Sequence, residues 1–222
     1  MTVLHLADEG EAADLAAFLS RLLHYDRGAA VRLQAAGTAL AVFGRPPSFE
    51  VLAVRAVRLA KPYEDGLDVT LDVTVSAGEL LESVDEQGAT AVVPGSVTGP
   101  PWAGVLPPRG GWRPEPGLPA PEALRSLVAA AVAEFRSRTQ ELPDERRTRA
   151  ELDRIGRDIW SRTVGDTRLP VRAVHAAQSL GFLRPGVPPA LFASGAWLRL
   201  RTPYGSVAVR QAGLGALDVS VR

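Results

Sequence analysis

Cysteine is absent from this chain of 222 residues, and lysine occurs only once, as Lys61. The first absence excludes disulfides, thiolate nucleophiles and cysteine-ligated zinc. Histidine is scarce, with three residues at 5, 24 and 175, no two of them at the spacing that a helix or hairpin needs to share a metal ion. No metal and no cofactor is therefore expected. No run approaches the roughly 18 uninterrupted apolar residues of a membrane span, and no charged segment leads into an apolar run at the N-terminus. Those absences predict a cytoplasmic protein with no membrane partner.

The catalytic signatures that bear on an enzyme are missing too. Gly95-Ser96-Val97-Thr98-Gly99 displaces the serine from the centre of a nucleophile elbow and lies among prolines. Lys61 precedes Pro62, so it completes no phosphate loop, and no Gly-x-Gly-x-x-Gly opens a helix. His24-Tyr25-Asp26 sets a base beside a carboxylate, yet adjacent residues at a helix end face different ways, and His24 with Arg27 reads more simply as a C-terminal complement to the helix dipole. Catalytic residues are expected to be none.

What the chain does contain is arginine, unevenly placed. The 25 basic and 25 acidic residues cancel overall, but residues 1–140 hold 12 basic against 17 acidic and residues 141–222 hold 13 against 8. A neutral total thus hides halves near −5 and +5. The basic half is the natural place to look for contact with a polyanion or an acidic surface.

Periodicity assigns the elements. Residues 11–24 carry Leu15, Phe18, Leu19, Leu22 and Leu23 at helical spacing. Extended segments follow at about 29–35, 38–44, 49–59 and 67–75, joined by turns short enough to favour antiparallel neighbours. In the last of these Asp68 and Asp72 share a face, either as a carboxylate pair for acid–base or hard-cation chemistry or, more simply, as the wet side of a half-buried strand. Residues 94–119 hold eight prolines and six glycines interleaved with Trp102, Val105, Leu106 and Trp112. Large apolar groups set this segment apart from a flexible linker, and it reads as a strap laid on the domain or as a partner-binding loop.

From Pro121 the pattern turns helical, with Leu124, Leu127, Val128, Ala131, Val132 and Phe135 on one stripe. A second helix spans about 144–162 and a third about 170–181, its inward stripe formed by Val171, Val174 and Ala177 with Ala173 and Ala176 outside. Thr202-Pro203-Tyr204-Gly205 turns a hairpin over 196–211 whose core face is Leu198, Leu200, Val207 and Val209. Trp197, Arg199, Arg201 and Arg210 fall on the opposite face.

By order and length, helix, helix and hairpin resemble a winged helix, which implies a recognition helix at 170–181 and a wing at 196–211. Over its whole length, through Ala13-Asp14-Leu15-Ala16-Ala17-Phe18-Leu19, Trp102-Ala103-Gly104-Val105-Leu106-Pro107-Pro108, Gly181-Phe182-Leu183 and Trp197-Leu198-Arg199-Leu200, the chain resembles a family of uncharacterised proteins from GC-rich actinobacteria. The expected fold is α+β, with an antiparallel sheet domain at 1–119 and a helical, winged-helix-like domain with a hairpin at 120–222. The expected role is non-catalytic and regulatory, associated with DNA or RNA through Arg168, Arg172, His175, Arg184, Trp197, Arg199, Arg201, Tyr204 and Arg210. The alternative is a protein-interaction or dimerisation module in which the same residues meet an acidic protein partner or a second copy.

Overall fold

The computed structural model describes residues 2–61 and 71–211. Its elements run β1 (Val3–His5), α1 (Glu9–Tyr25), β2 (Ala30–Ala36), β3 (Ala39–Gly44), β4 (Leu52–Arg58), β5 (Leu71–Ser76), α2 (Ala77–Glu82), β6 (Val84–Asp85), β7 (Thr90–Val92) and β8 (Arg113–Pro114). There follow α3 (Pro121–Gln140), α4 (Arg149–Trp160), α5 (Val171–Ser179), β9 (Ala190–Ser194), β10 (Trp197–Thr202) and β11 (Gly205–Arg210). Local chemistry sets the helix starts. Asp8, Ser76 and Thr148 each accept a backbone N–H as N-caps of α1, α2 and α4, and Pro121 occupies the first turn of α3, where its missing N–H costs nothing.

Eight strands form one antiparallel sheet in the order β5-β2-β3-β4-β11-β10-β9-β8, and β1, β7 and β6 form a small second sheet. The strand pairing that decides the architecture is β11 on β4, with Ser206 opposite Val54, Val207 opposite Ala53 and Ala208 opposite Leu52. It stitches the end of the chain to the strands of its first sixty residues. Because paired residues share a face, Leu33, Val42, Val57, Val207, Leu200 and Leu198 all point to one side. There α1 packs on β4 and α5 on β10 and β11, while α3 and α4 form an outer layer on α5. A single buried cluster runs from Leu4 and Phe18 through Leu33 and Val207 to Leu124 and Ile159.

Two expectations are corrected here. The C-terminal part is not a helical, winged-helix-like domain, since β9, β10 and β11 are strands of the main sheet. A wing is a two-stranded ribbon with a free edge, but both edges of this hairpin are occupied, by β4 on one side and β9 on the other. Nor does α5 offer a reading face. Ala173 and Ala176 are fully buried, because side chains that small let α5 sit between the sheet and the outer helices. A further difference is local: the extended run expected from 49 begins only at Leu52, after a 3-10 turn at Pro47–Phe49.

Candidate functional site

The second face of the sheet carries Arg32 and Gln34 of β2, Ala39, Ala41 and Phe43 of β3, Val54 and Ala56 of β4, Ser206 and Ala208 of β11, and Trp197, Arg199 and Arg201 of β10. No helix covers it. Instead the proline-rich segment 94–119 crosses it from one edge to the other. At the β5 edge the Val97 N–H donates to the Thr74 carbonyl at 2.9 Å, and at the far edge β8 pairs with β9. A backbone poor in N–H groups can lie across a sheet face without leaving many buried donors unpaired, which is why proline suits this path.

Three contacts hold the strap down. Trp102 and Leu106 pack on Phe43, Leu52 and Val54. Arg32 donates from Nη1 to the Ala103 carbonyl while its Nε and Nη2 grip both carboxylate oxygens of Asp72 at 2.7 and 2.8 Å. The Arg32 hydrogen bonds hold the Asp72 carboxyl below its usual range, and Gln34 donates a third bond to it at 3.0 Å. Beyond, Ser194 Oγ donates to the Gly110 carbonyl at 3.2 Å.

Between the strap and strands β5, β2, β3 and β4 a groove of about 320 Å³ remains. Its floor is made of the small side chains Ala36, Ala39, Ala41 and Ala56 together with Phe43 and Val54, and its wall of Pro107 and Pro108. Arg109 and Arg199 stand at its polar rim. Arg199 is half-buried. Its Nε donates to Ser206 Oγ at 2.9 Å and its guanidinium lies 5.7 Å from the Trp112 ring. Burial, aided by the like charge of Arg201, lowers its pKa, and no carboxylate among the described residues lies within 4.0 Å of it. A half-buried cation is stabilised by an anion beside it.

The nine residues singled out from sequence do not form one surface. Arg168 bonds Gln211 at 2.8 Å and Glu115 at 3.2 Å. Arg184 pairs with Asp14 at 3.0 Å and lies 3.7 Å from the Tyr204 ring centroid, so Tyr204 is engaged within the fold. Arg172 stands 3.9 Å from Glu50. His175 is stacked on Trp160 at 4.6 Å and meets Phe49 edge-on at 5.0 Å, and burial lowers its pKa. Trp197, Arg199, Arg201 and Arg210 remain together on the strap side, Arg201 and Arg210 exposed. Of the paired carboxylates considered from sequence, Asp68 lies outside the described residues and Asp72 is held by Arg32. Among the described residues no three His, Asp or Glu side chains gather as a metal-binding group.

The sequence reading missed the groove. Its signal was present as alanine at the outward positions 36, 39, 41 and 56, where a solvated strand face would carry polar groups.

Residues 1–104 match the description "Domain of unknown function (DUF8010)" and residues 107–214 match "Domain of unknown function (DUF8185)". The boundary between the two matches falls inside the strap, and both matched stretches supply strands to the main sheet. No curated protein matches the chain. No helix among the described residues is long and apolar enough to cross a membrane.

Proposed function

We propose that the protein is a non-catalytic regulatory module that docks an acidic protein partner on the outer face of the β10–β11 hairpin. The observation that carries this reading is the grouping of Arg199, Arg201 and Arg210 beside Trp197, with no carboxylate of the described residues within 4.0 Å of any of the three. Like charges set side by side on one ribbon face repel unless something acidic meets them. A few arginines around an aromatic residue suffice to anchor a protein interface.

Nucleic acid is the competing partner, and charge accounting disfavours it. Arg168, Arg172 and Arg184 already face Glu115, Glu50 and Asp14, which leaves few cations for phosphates. Affinity for nucleic acid grows with the number of phosphates neutralised. The test is fluorescence anisotropy of a labelled Glu- and Leu-rich peptide, a random-sequence duplex DNA and a single-stranded RNA at low and moderate salt, with wild type and an Arg201→Ala/Arg210→Ala variant. Binding of the peptide that the variant weakens supports the reading. Steeply salt-dependent binding of DNA or RNA in preference to the peptide, or no binding of any probe, overturns it.

A further inference from the structure

The groove between strap and sheet has features that a merely solvated face would lack. Its floor is alanine where partially exposed strands ordinarily carry polar side chains, so it is an open but apolar groove. Its volume of about 320 Å³ lies at the low end of the range in which small-molecule sites fall. Asp72 at one end is satisfied by Arg32 and Gln34, so it presents little unused acceptor capacity. Arg199 at the other end spends only its Nε, on Ser206, and lacks any carboxylate partner among the described residues.

We infer that the groove is a binding site for a small amphipathic carboxylate, an alkyl chain or single ring laid on Ala41 and Ala56 against Pro107 and Pro108, with its carboxylate paired to the free edge of the Arg199 guanidinium. Charge decides the class: an amine would set a second cation against Arg199 and Arg109, and a neutral alcohol would leave Arg199 uncompensated. Planar guanidinium also matches a carboxylate in a two-bond geometry. The site goes beyond the docking of an acidic partner and shares only Arg199 with it. A ligand held under the strap would fix residues 107–109 over the sheet, and so give the module a small-molecule effector.

The experiment titrates the full chain with octanoate, octanol, octylammonium and acetate by calorimetry, in wild type, Arg199→Gln, Ala56→Leu and the Arg201→Ala/Arg210→Ala variant. Octanoate is expected to bind at least about tenfold tighter than octanol or octylammonium, the margin of a charge-assisted hydrogen-bond pair, and acetate without a tail to bind more weakly still. Arg199→Gln should weaken octanoate by about tenfold or more. Ala56→Leu, at an exposed strand position where the larger side chain folds without strain, fills the floor and should abolish octanoate binding while leaving the thermal midpoint unchanged. The double arginine variant should keep octanoate even where it loses the acidic peptide, so the two readings fail separately. Octanoate binding no better than octanol, or binding undiminished in folded Ala56→Leu, would overturn the inference.

Discussion

Arg55 of β4 donates from Nη1 to the carbonyl oxygen of Tyr204 at 2.9 Å, a contact between residues 149 positions apart in the chain. The same guanidinium reaches Glu11 at 2.8 Å and Asp14 at 3.3 Å on α1, and only 6% of its side chain is exposed. One buried cation therefore joins the first helix, the middle of the sheet and the turn of the last hairpin. Arg184, which pairs with Asp14 and covers the Tyr204 ring, closes the network from the other side.

Removing that cation leaves the Tyr204 carbonyl without its donor and leaves Glu11 and Asp14 only their more exposed partners, Arg58 and Arg184. Arg55→Ala is expected to lower the unfolding free energy by about 3–5 kcal/mol, the cost typical of breaking a buried ion pair from one side. Arg58 also binds Glu11, at 2.8 Å, but its side chain is 71% exposed, so Arg58→Ala should barely move the urea midpoint. Equal midpoints for the two variants would show that Arg55 is not the joint described.

The turn of the same hairpin is under a second constraint. Gly205 has φ of +152°, and a Cβ there would collide with the Phe182 ring, which is itself buried. Gly205→Ala should cost about 1–3 kcal/mol by overpacking, in addition to the backbone penalty. Gly195, at φ of +54° with no atom within 4 Å of its Cβ position, serves as the comparison, and Gly195→Ala should cost only about 1 kcal/mol. Differential scanning of the two variants measures the gap, and a larger loss at Gly195 would contradict the packing around Phe182.

Much of this fold could be read from periodicity. The alternation in β2, β3 and β10–β11 and the 3–4 spacing in α1 and α3 are local signals, and each of those elements lies within a few residues of its expected place. What could not be read is which strand meets which across a long chain. Nothing local to Ser206–Ala208 names Leu52–Val54 as its partner, and without that pairing the hairpin looked like a free wing. Alanine was the second blind spot. At 173 and 176 it marks close helix packing, at 41 and 56 the floor of a groove, and its small apolar side chain fits a buried or an exposed place equally. The short elements β1, α2, β6 and β7 carry too few residues to show any period.

His175 gives the stability a defined pH dependence. Burial between Trp160 and Phe49 lowers its pKa below the ordinary value of 6.5, so the unfolded chain accepts a proton that the folded chain refuses. The neutral imidazole's contribution is complete above pH 6.5 and is lost as pH falls through the window below it. Carboxylates with lowered pKa, such as Asp72 and Glu134, act only below their own ordinary values near 4, which keeps the two windows apart. Urea midpoints between pH 7 and pH 5 should therefore decline in wild type and stay flatter in His175→Phe, which keeps the ring stack without the titrating group. An unchanged slope in that variant would place the proton elsewhere.

Between its backbone anchors at the two sheet edges, the strap is clasped by Arg32. That side chain is 25% exposed, is fixed on both oxygens of Asp72, and donates its remaining N–H to a strap carbonyl, at Ala103. Arg32→Ala frees that carbonyl, and Asp72→Asn frees the guanidinium from its anchor, so both should loosen residues 103–109 while Trp102 still packs on Phe43 and Val54. Trypsin reads the result directly, because Arg109 lies in the loosened stretch and is already exposed. Cleavage after Arg109 should quicken at least about fivefold in either variant under native conditions, in line with the loss of one charge-assisted hydrogen bond. The Asp72 carboxyl, held low by Arg32, keeps the wild-type clasp closed until pH falls well below the usual carboxylate range. Acid should then reproduce the Asp72→Asn behaviour in the wild type, and with pepsin as the protease at low pH the two chains should be cut at the same rate. If wild type stays resistant there while Asp72→Asn is cut quickly, the clasp does not release on protonation of Asp72.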